Sequence, residues 1–292
     1  MKDFNNKVAA ITGAGSGIGR ALAVNLARAG CHLALSDVNA EGLQQTAEQV
    51  HGSGVNVTTT VLDVSDQAAV YAWADQVVAD HGRVNLIFNN AGVALSGTVA
   101  GLSLEDYDWI MGINFNGVLY GTKAFLPHLE AAGEGHVINI SSVFGLAAQP
   151  LMSGYNAAKF AVRGLTESLR QDLEVSQSCV SCSCVHPGGI KTNIARDSRS
   201  SDSAQKLTGQ NAEEAAKEFE KLFITTPDKA ARVILKGVQK NSRRILIGPD
   251  ARVLDWMVRL FPTAYQKLFI RMIELSRKKA GRKKHIRAQD CR

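Results

Sequence analysis

No stretch of this 292-residue chain approaches the roughly 18 uninterrupted apolar residues that a membrane-spanning helix requires, so no span is expected. The opening MKDFNNKVAAITG has no apolar run ahead of its first strand-like segment, which argues against a signal peptide and leads us to expect a cytoplasmic protein. Cysteine is sparse and odd in number, at five, which suits a reducing compartment better than a disulfide framework. Cys179, Cys182 and Cys184 crowd into SCVSCSCVHPG, but no second Cys/His cluster stands nearby to complete four ligands. They read as small residues of a buried strand, and no metal is expected. Charge is nearly balanced over most of the chain. The net +6 comes from residues 277–292, where eight Lys or Arg meet only Asp290, leaving 25 basic and 26 acidic residues, net −1, for the rest. The basicity is therefore a tail and not a field around the fold.

What the sequence does have is alternation. KVAAIT, CHLALSD, NVTTTVLD, VNLIFNNAG, GHVINISS, CVSCSCVHPG and RRILIG are strand-like runs separated by helical sequence, with Gly30 stopping the first helix. Near-continuous apolar strands between helices predict an α/β domain over 1–250, a doubly wound, Rossmann-like parallel sheet covered by helices on both faces. Residues 193–223 are polar and alanine-rich, and read as a substrate-side lid or, equally, as a plain pair of surface helices. Residues 251–276 form an amphipathic helical extension, and 277–292 the basic tail.

Chemistry enters with the spacing of Tyr155 and Lys159 in SGYNAAKF. Four residues apart on a helix they share a face, and an ammonium beside a phenol favours the phenolate, as general acid–base work on an alcohol or ketone needs. Near the N-terminus, the first strand runs into TGAGSGIG. Ile18 breaks the GxGxxG pattern, but glycines at 13, 17 and 19 still permit a tight turn and close approach of backbone amides and a helix N-terminus to a pyrophosphate. Asp37 ends the second strand, where a carboxylate can accept from adenosine ribose hydroxyls and would repel a 2′-phosphate. No Lys or Arg lies within 12–19 or beside Asp37, so NAD is expected over NADP.

Taken in order, these motifs resemble the compact, non-extended branch of the short-chain dehydrogenase/reductase family over roughly 5–250. The resemblance implies that Gly13, Ser16, Gly17, Ile18 and Gly19 form the phosphate turn. It further implies that Asp63 of LDVSD binds the adenine amino group with Val64 packed beside the ring. Asn90, Ala91 and Gly92 of NNAG would hold strand and cofactor, and Pro187, Gly188, Ile190 and Thr192 of HPGGIKT would lie near the nicotinamide. Ser142, rather than Ser141, would hydrogen-bond the substrate oxygen, Tyr155 would exchange its proton, and Lys159 would depress the tyrosine pKa and hold the nicotinamide ribose. Asn114 of GINFNGV would kink a helix, anchor a water and complete a proton path from Lys159 to bulk. Ser142 and Tyr155 are thus the substrate contacts, and a homodimer or homotetramer is the family default. His186 is expected to be a loop histidine contacting backbone, and Trp73 and Trp109 to be packing residues.

The implied activity is transfer of a hydride between NAD(H) and a secondary alcohol or ketone. A dinucleotide-binding regulatory or membrane-scaffolding protein without turnover is the alternative. A nucleotide-sugar epimerase would share YxxxK but carry GxxGxxG and a larger C-terminal domain. In the extension, Tyr265, Leu268, Phe269, Met272 and Ile273 follow one helical face, as do Val253, Trp256, Met257 and Leu260, with Pro262 between them. Packing within the fold or an oligomer is the first reading of these faces. Contact with an anionic membrane is the second, and nucleic acid the last. An apolar roof of this kind would suit a lipophilic substrate.

Overall fold

The computed structural model describes residues 1–195, 198–221, 223–275 and 277. In chain order the elements are β1 (Val8–Thr12), α1 (Gly17–Arg28), β2 (His32–Asp37), α2 (Ala40–Val50), β3 (Val57–Val61), α3 (Gln67–His81) and β4 (Leu86–Asn89). There follow β5 (Leu95–Ser96), α4 (Leu104–Met111), a π-helical turn (Gly112–Asn116), α5 (Gly117–Ala131), β6 (Gly135–Ile140), α6 (Ser153–Val175) and β7 (Val180–Pro187). The remainder is β8 (Arg199–Ser200), α7 (Asp202–Thr208), α8 (Ala212–Glu220), α9 (Pro227–Gln239), β9 (Arg244–Ile247), α10 (Pro249–Leu260) and α11 (265–275).

Seven strands pair in the order β3-β2-β1-β4-β6-β7-β9, every ladder parallel. Each answers one of the apolar runs seen in the sequence. Successive residues of a strand point to opposite faces, and in the central strands both faces are buried, while the edge strand β3 is partly exposed. Ala9 and Ile11 of β1 enter a core with Leu22 and Leu26 of α1 and Ile234 and Val238 of α9. Val8 and Ala10 enter the other core, with Trp73 and Val77 of α3 and Phe125 and Leu129 of α5. Trp73 meets Phe125 edge-on with ring centroids 5.1 Å apart, the packing role expected of it. Cys182 and Cys184 are buried in β7, and burial pushes both thiols up to about 12, so they stay protonated and pack as small apolar groups.

Strand order reverses between β1 and β4, and the crevice outside their carboxyl ends is where this topology seats ligands. β5 and β8 form a separate two-stranded parallel sheet that fastens the segment before α7 to the loop after β4. Residues 193–223 thus hold a 3-10 turn, β8, α7 and α8.

In the extension the two anticipated faces divide between packed and exposed residues. Tyr265 is buried, meets Phe269 edge-on and accepts a hydrogen bond from the Ala148 amide at 3.2 Å. Val253, Trp256, Leu260, Leu268 and Met272 are exposed. Of the α11 face Tyr265, Phe269 and Ile273 pack against the chain, and of the α10 face only Met257 is partly covered. No helix among the described residues is long and apolar enough to cross a membrane. Except for Arg277, the basic tail lies outside the described residues.

Candidate active site

The end of β6 and the first turns of α6 are stitched together, and the stitching separates the two serines. Ser141 Oγ donates to the Lys159 carbonyl at 2.8 Å, which commits Ser141 to structure. Ser142 Oγ instead accepts from the Phe144 amide at 3.1 Å and lies close enough to the Tyr155 phenol to influence its ionisation. Lys159 Nζ donates to the Ile140 carbonyl at 3.1 Å and stands 5.7 Å from the Tyr155 ring centroid. Ser142, Tyr155 and Lys159 are all buried and share one wall at the carboxyl end of β6.

Burial sets the electrostatics of this wall. It raises the Tyr155 phenol above its ordinary value, partly offset by the neighbouring Ser142 hydroxyl. It lowers the Lys159 ammonium to about 8. The expected depression of the tyrosine by Lys159 is therefore not what the fold produces. The ammonium is bonded to the Ile140 carbonyl and faces the ring, while loss of water disfavours the phenolate.

Asn114 is fully buried in the π-helical turn, the kink expected there. Its Oδ1 accepts from the Val93 amide at 2.8 Å and its Nδ2 donates to the Val93 carbonyl at 2.9 Å. Gly92 closes the group: a Cβ built on it would lie 3.1 Å from Asn114 Oδ1 and 3.3 Å from Lys159 Nζ. His186 belongs to β7 and not to a loop. Burial lowers it to about 4, so its neutral ring donates from Nδ1 to the Ser142 carbonyl at 2.8 Å and fixes the backbone under that serine. It contacts backbone, as expected, but from within the sheet.

At the switch point, Gly13 takes φ +64, and a Cβ there would sit 2.8 Å from Ala91 Cα. Asn90 pins the turn, its Nδ2 donating to the carbonyls of Thr12 at 2.9 Å and Gly13 at 3.1 Å, and Thr12 Oγ1 accepts from the amides of Asn90 and Ala91. Ser16, Gly17, Ile18 and Gly19 follow as the N-cap and first residues of α1. Asp37 accepts from the Gly15 amide at 2.8 Å and the Asn39 amide at 2.9 Å, which ties the end of β2 to the turn. Asp63 lies exposed beyond β3, accepting from the Ser65 amide and hydroxyl, and Val64 is buried behind it. A Cβ on Gly17 would lie 3.0 Å from Thr192 Cγ2, so the turn and the Pro187–Thr192 loop face one another. The glycine turn, the half-exposed Asp37 carboxylate and this facing loop fit a dinucleotide lying across the crevice.

Three side chains escaped the sequence reading. Asp250, in the first turn of α10, accepts from the Gly189 amide at 2.6 Å, and Gly188 has no room for a side chain against that carboxylate. GPD after the last strand signals a helix start, but not its partner 61 residues earlier. Arg20, one residue past the turn, donates to the carbonyls of Gly15 and Gly42, to Gln45 Oε1 and to Thr46 Oγ1. Arg199 of β8 stacks its guanidinium 3.8 Å from the Trp109 ring centroid. Trp109, Phe144 and Ile194 pack against the apolar cluster that includes Ala94, Leu95, Met152 and Tyr155.

Comparison with known proteins agrees with this geometry. Residues 7–203 match the short chain dehydrogenase family profile. SadH of Mycobacterium tuberculosis, an oxidoreductase by name, is 47% identical over 269 residues, covering 92% of this chain and 95% of that protein. A C alpha-dehydrogenase of a Sphingobium species is 35% identical over 86% of this chain and 84% of its own length. Among solved structures, a short chain dehydrogenase/reductase of Burkholderia phymatum in complex with NAD superposes with a TM-score of 0.81 at 31% identity, covering 91% of this chain and 97% of that one. The chain belongs to the short-chain dehydrogenase/reductase family of NAD(P)-dependent oxidoreductases.

Proposed function

We propose that the protein interconverts a lipophilic secondary alcohol and its ketone, prefers NAD(H), and uses Tyr155 as the general acid and base. The observation that carries this reading is the gathering of buried Ser142, Tyr155 and Lys159 on one wall, with Lys159 Nζ 5.7 Å from the Tyr155 ring. Ser142 would hold the substrate oxygen beside the phenol. In reduction the protonated Tyr155 that burial favours would give its proton to the carbonyl oxygen; oxidation would run the same transfer in reverse, from the less favoured phenolate. The bound nicotinamide supplies the hydride acceptor or donor. Lys159 would bind the nicotinamide ribose, its ammonium already aimed toward Gly92, and Asn114 would hold the 92–93 backbone against which that ribose rests.

NAD is favoured because Asp37 would repel a 2′-phosphate and the nearest base, Arg20, is engaged by four acceptors around Gly15 and α2. The NAD bound in the Burkholderia phymatum relative supports the same choice. A lipophilic substrate is favoured by the apolar wall of Ala94, Leu95, Met152 and Phe144 beside Tyr155. The test is to follow nicotinamide absorbance across alcohols and ketones of increasing size with each cofactor. The reading expects turnover that improves with apolar size and with NAD. Absence of turnover across the panel despite tight NADH binding would favour a regulatory protein instead.

A further inference from the structure

We propose that α10 and α11 form a docking surface for an anionic lipid bilayer, lying in its interface without crossing it. Val253, Trp256 and Leu260 recur at i, i+3 and i+7 along α10 and are exposed by 67%, 66% and 60%. The opposite face is the packed one, where Ala251 and Asp255 are buried and Asp255 accepts from Arg244 at 3.1 Å. In α11, Tyr265, Phe269 and Ile273 turn inward while Leu268, Met272 and Leu275 stand about half exposed at i, i+4 and i+7. Phe261, in the connection, adds another exposed ring. Apolar side chains gathered this way on outward arcs of consecutive helices mark a contact surface.

Charge identifies the partner. Arg252 and Arg259 sit on the helical flank beside Trp256, and Lys267 and Arg271 on the flank beside Leu268, with Arg259 also paired to Asp255 at 2.9 Å. Eight further Lys or Arg follow in 277–292, against a body of net −1. A second copy of the chain docked on this face would bring like-charged flanks together. Nucleic acid would use the charge but leave the apolar arcs wet. An anionic bilayer satisfies both, with an apolar layer for Trp256, Leu260 and Met272 and headgroup phosphates for the basic flanks. Neither helix is long and apolar enough to go further in. The surface is independent of the chemistry proposed at Tyr155.

Flotation of the full-length protein with phosphatidylcholine vesicles, with and without about a third phosphatidylglycerol, tests this directly. The expected result is co-flotation with anionic vesicles, weakened roughly tenfold or more without the anionic lipid or in high salt. Trp256 is far more exposed than buried Trp73 or half-buried Trp109, so its emission should shift to the blue on vesicle addition and be quenched by lipids brominated near the headgroup. The combined variant Trp256→Glu, Leu260→Glu, Met272→Glu should lose flotation while retaining NADH binding and melting temperature. Wild-type protein that neither floats nor shifts its emission would overturn the proposal. So would a variant that floats as well as wild type, or one that falls to a smaller oligomer with vesicle binding intact.

Discussion

Asp250 holds the Pro187–Thr192 loop from outside the family's motifs, and removing it gives a quantitative expectation. The 2.6 Å bond from the Gly189 amide to a carboxylate is charge-assisted, a class worth about 1.5–3 kcal/mol. Asp250→Ala leaves that amide without its acceptor and frees a loop whose far end faces the phosphate turn at Gly17. If NADH must then order the loop itself, its affinity falls by a factor whose ceiling is roughly ten- to a hundredfold, at about 1.4 kcal/mol per factor of ten. Melting temperature should fall by a few degrees, about 2–4 °C per kcal/mol in a domain of this size. Asp250→Asn keeps an acceptor but sets an amide nitrogen where buried Oδ1 has no partner, so it should lie between Ala and wild type. NADH fluorescence titration of the three proteins is the assay. An alanine variant that melts early yet binds NADH within about twofold of wild type would refute the clamp and leave Asp250 as a helix-start residue only.

Two other substitutions probe the burial of charge and the choice of cofactor. Lys159 falls from 10.5 to about 8 in the fold, so below pH 8 both folded and unfolded chains are protonated and the cost of burying the ammonium is carried in full. Lys159→Met should therefore be more stable than wild type at pH 7, by about 2–3 kcal/mol after allowing for the lost bond to Ile140. Between about 8 and 10.5 the unfolded chain binds more protons, wild-type stability rises relative to the variant, and the gap should close; urea unfolding at several pH values would expose a gap that stays constant or has the opposite sign. Asp37→Ala should raise KM for NAD about tenfold through lost hydrogen bonding while sparing or improving NADP, and an unchanged NAD/NADP ratio of kcat/KM would contradict the role given to Asp37.

The central strands were legible because burial on both faces demands near-continuous apolar runs, and a run such as VAAIT says so locally; edge strand β3, VTTTV and partly exposed, showed itself by β-branched residues instead. β5 and β8 were not, since two-residue strands leave no period and their pairing joins Leu95 to Arg199. The same distance hid Asp250, whose role exists only once β9 brings α10 beside β7. In the extension the helical period was readable, but period alone does not say which side of the stripe faces the protein. Tyr265 and Phe269 turned inward and Leu268 and Met272 outward. Tyr155 and Lys159 were read correctly as neighbours, but spacing carries no information about solvent. Burial decided the phenol's direction against the lysine.

The central claim, that Tyr155 moves the proton, is tested most directly by Tyr155→Phe. That change keeps the ring packed edge-on to Phe144 and removes only the hydroxyl that meets Ser142. Measured on the best alcohol of the panel, kcat should drop by roughly 10²–10⁴ while NADH affinity stays within about threefold of wild type. Turnover at the wild-type rate, or NADH binding that falls in parallel with kcat, would contradict it.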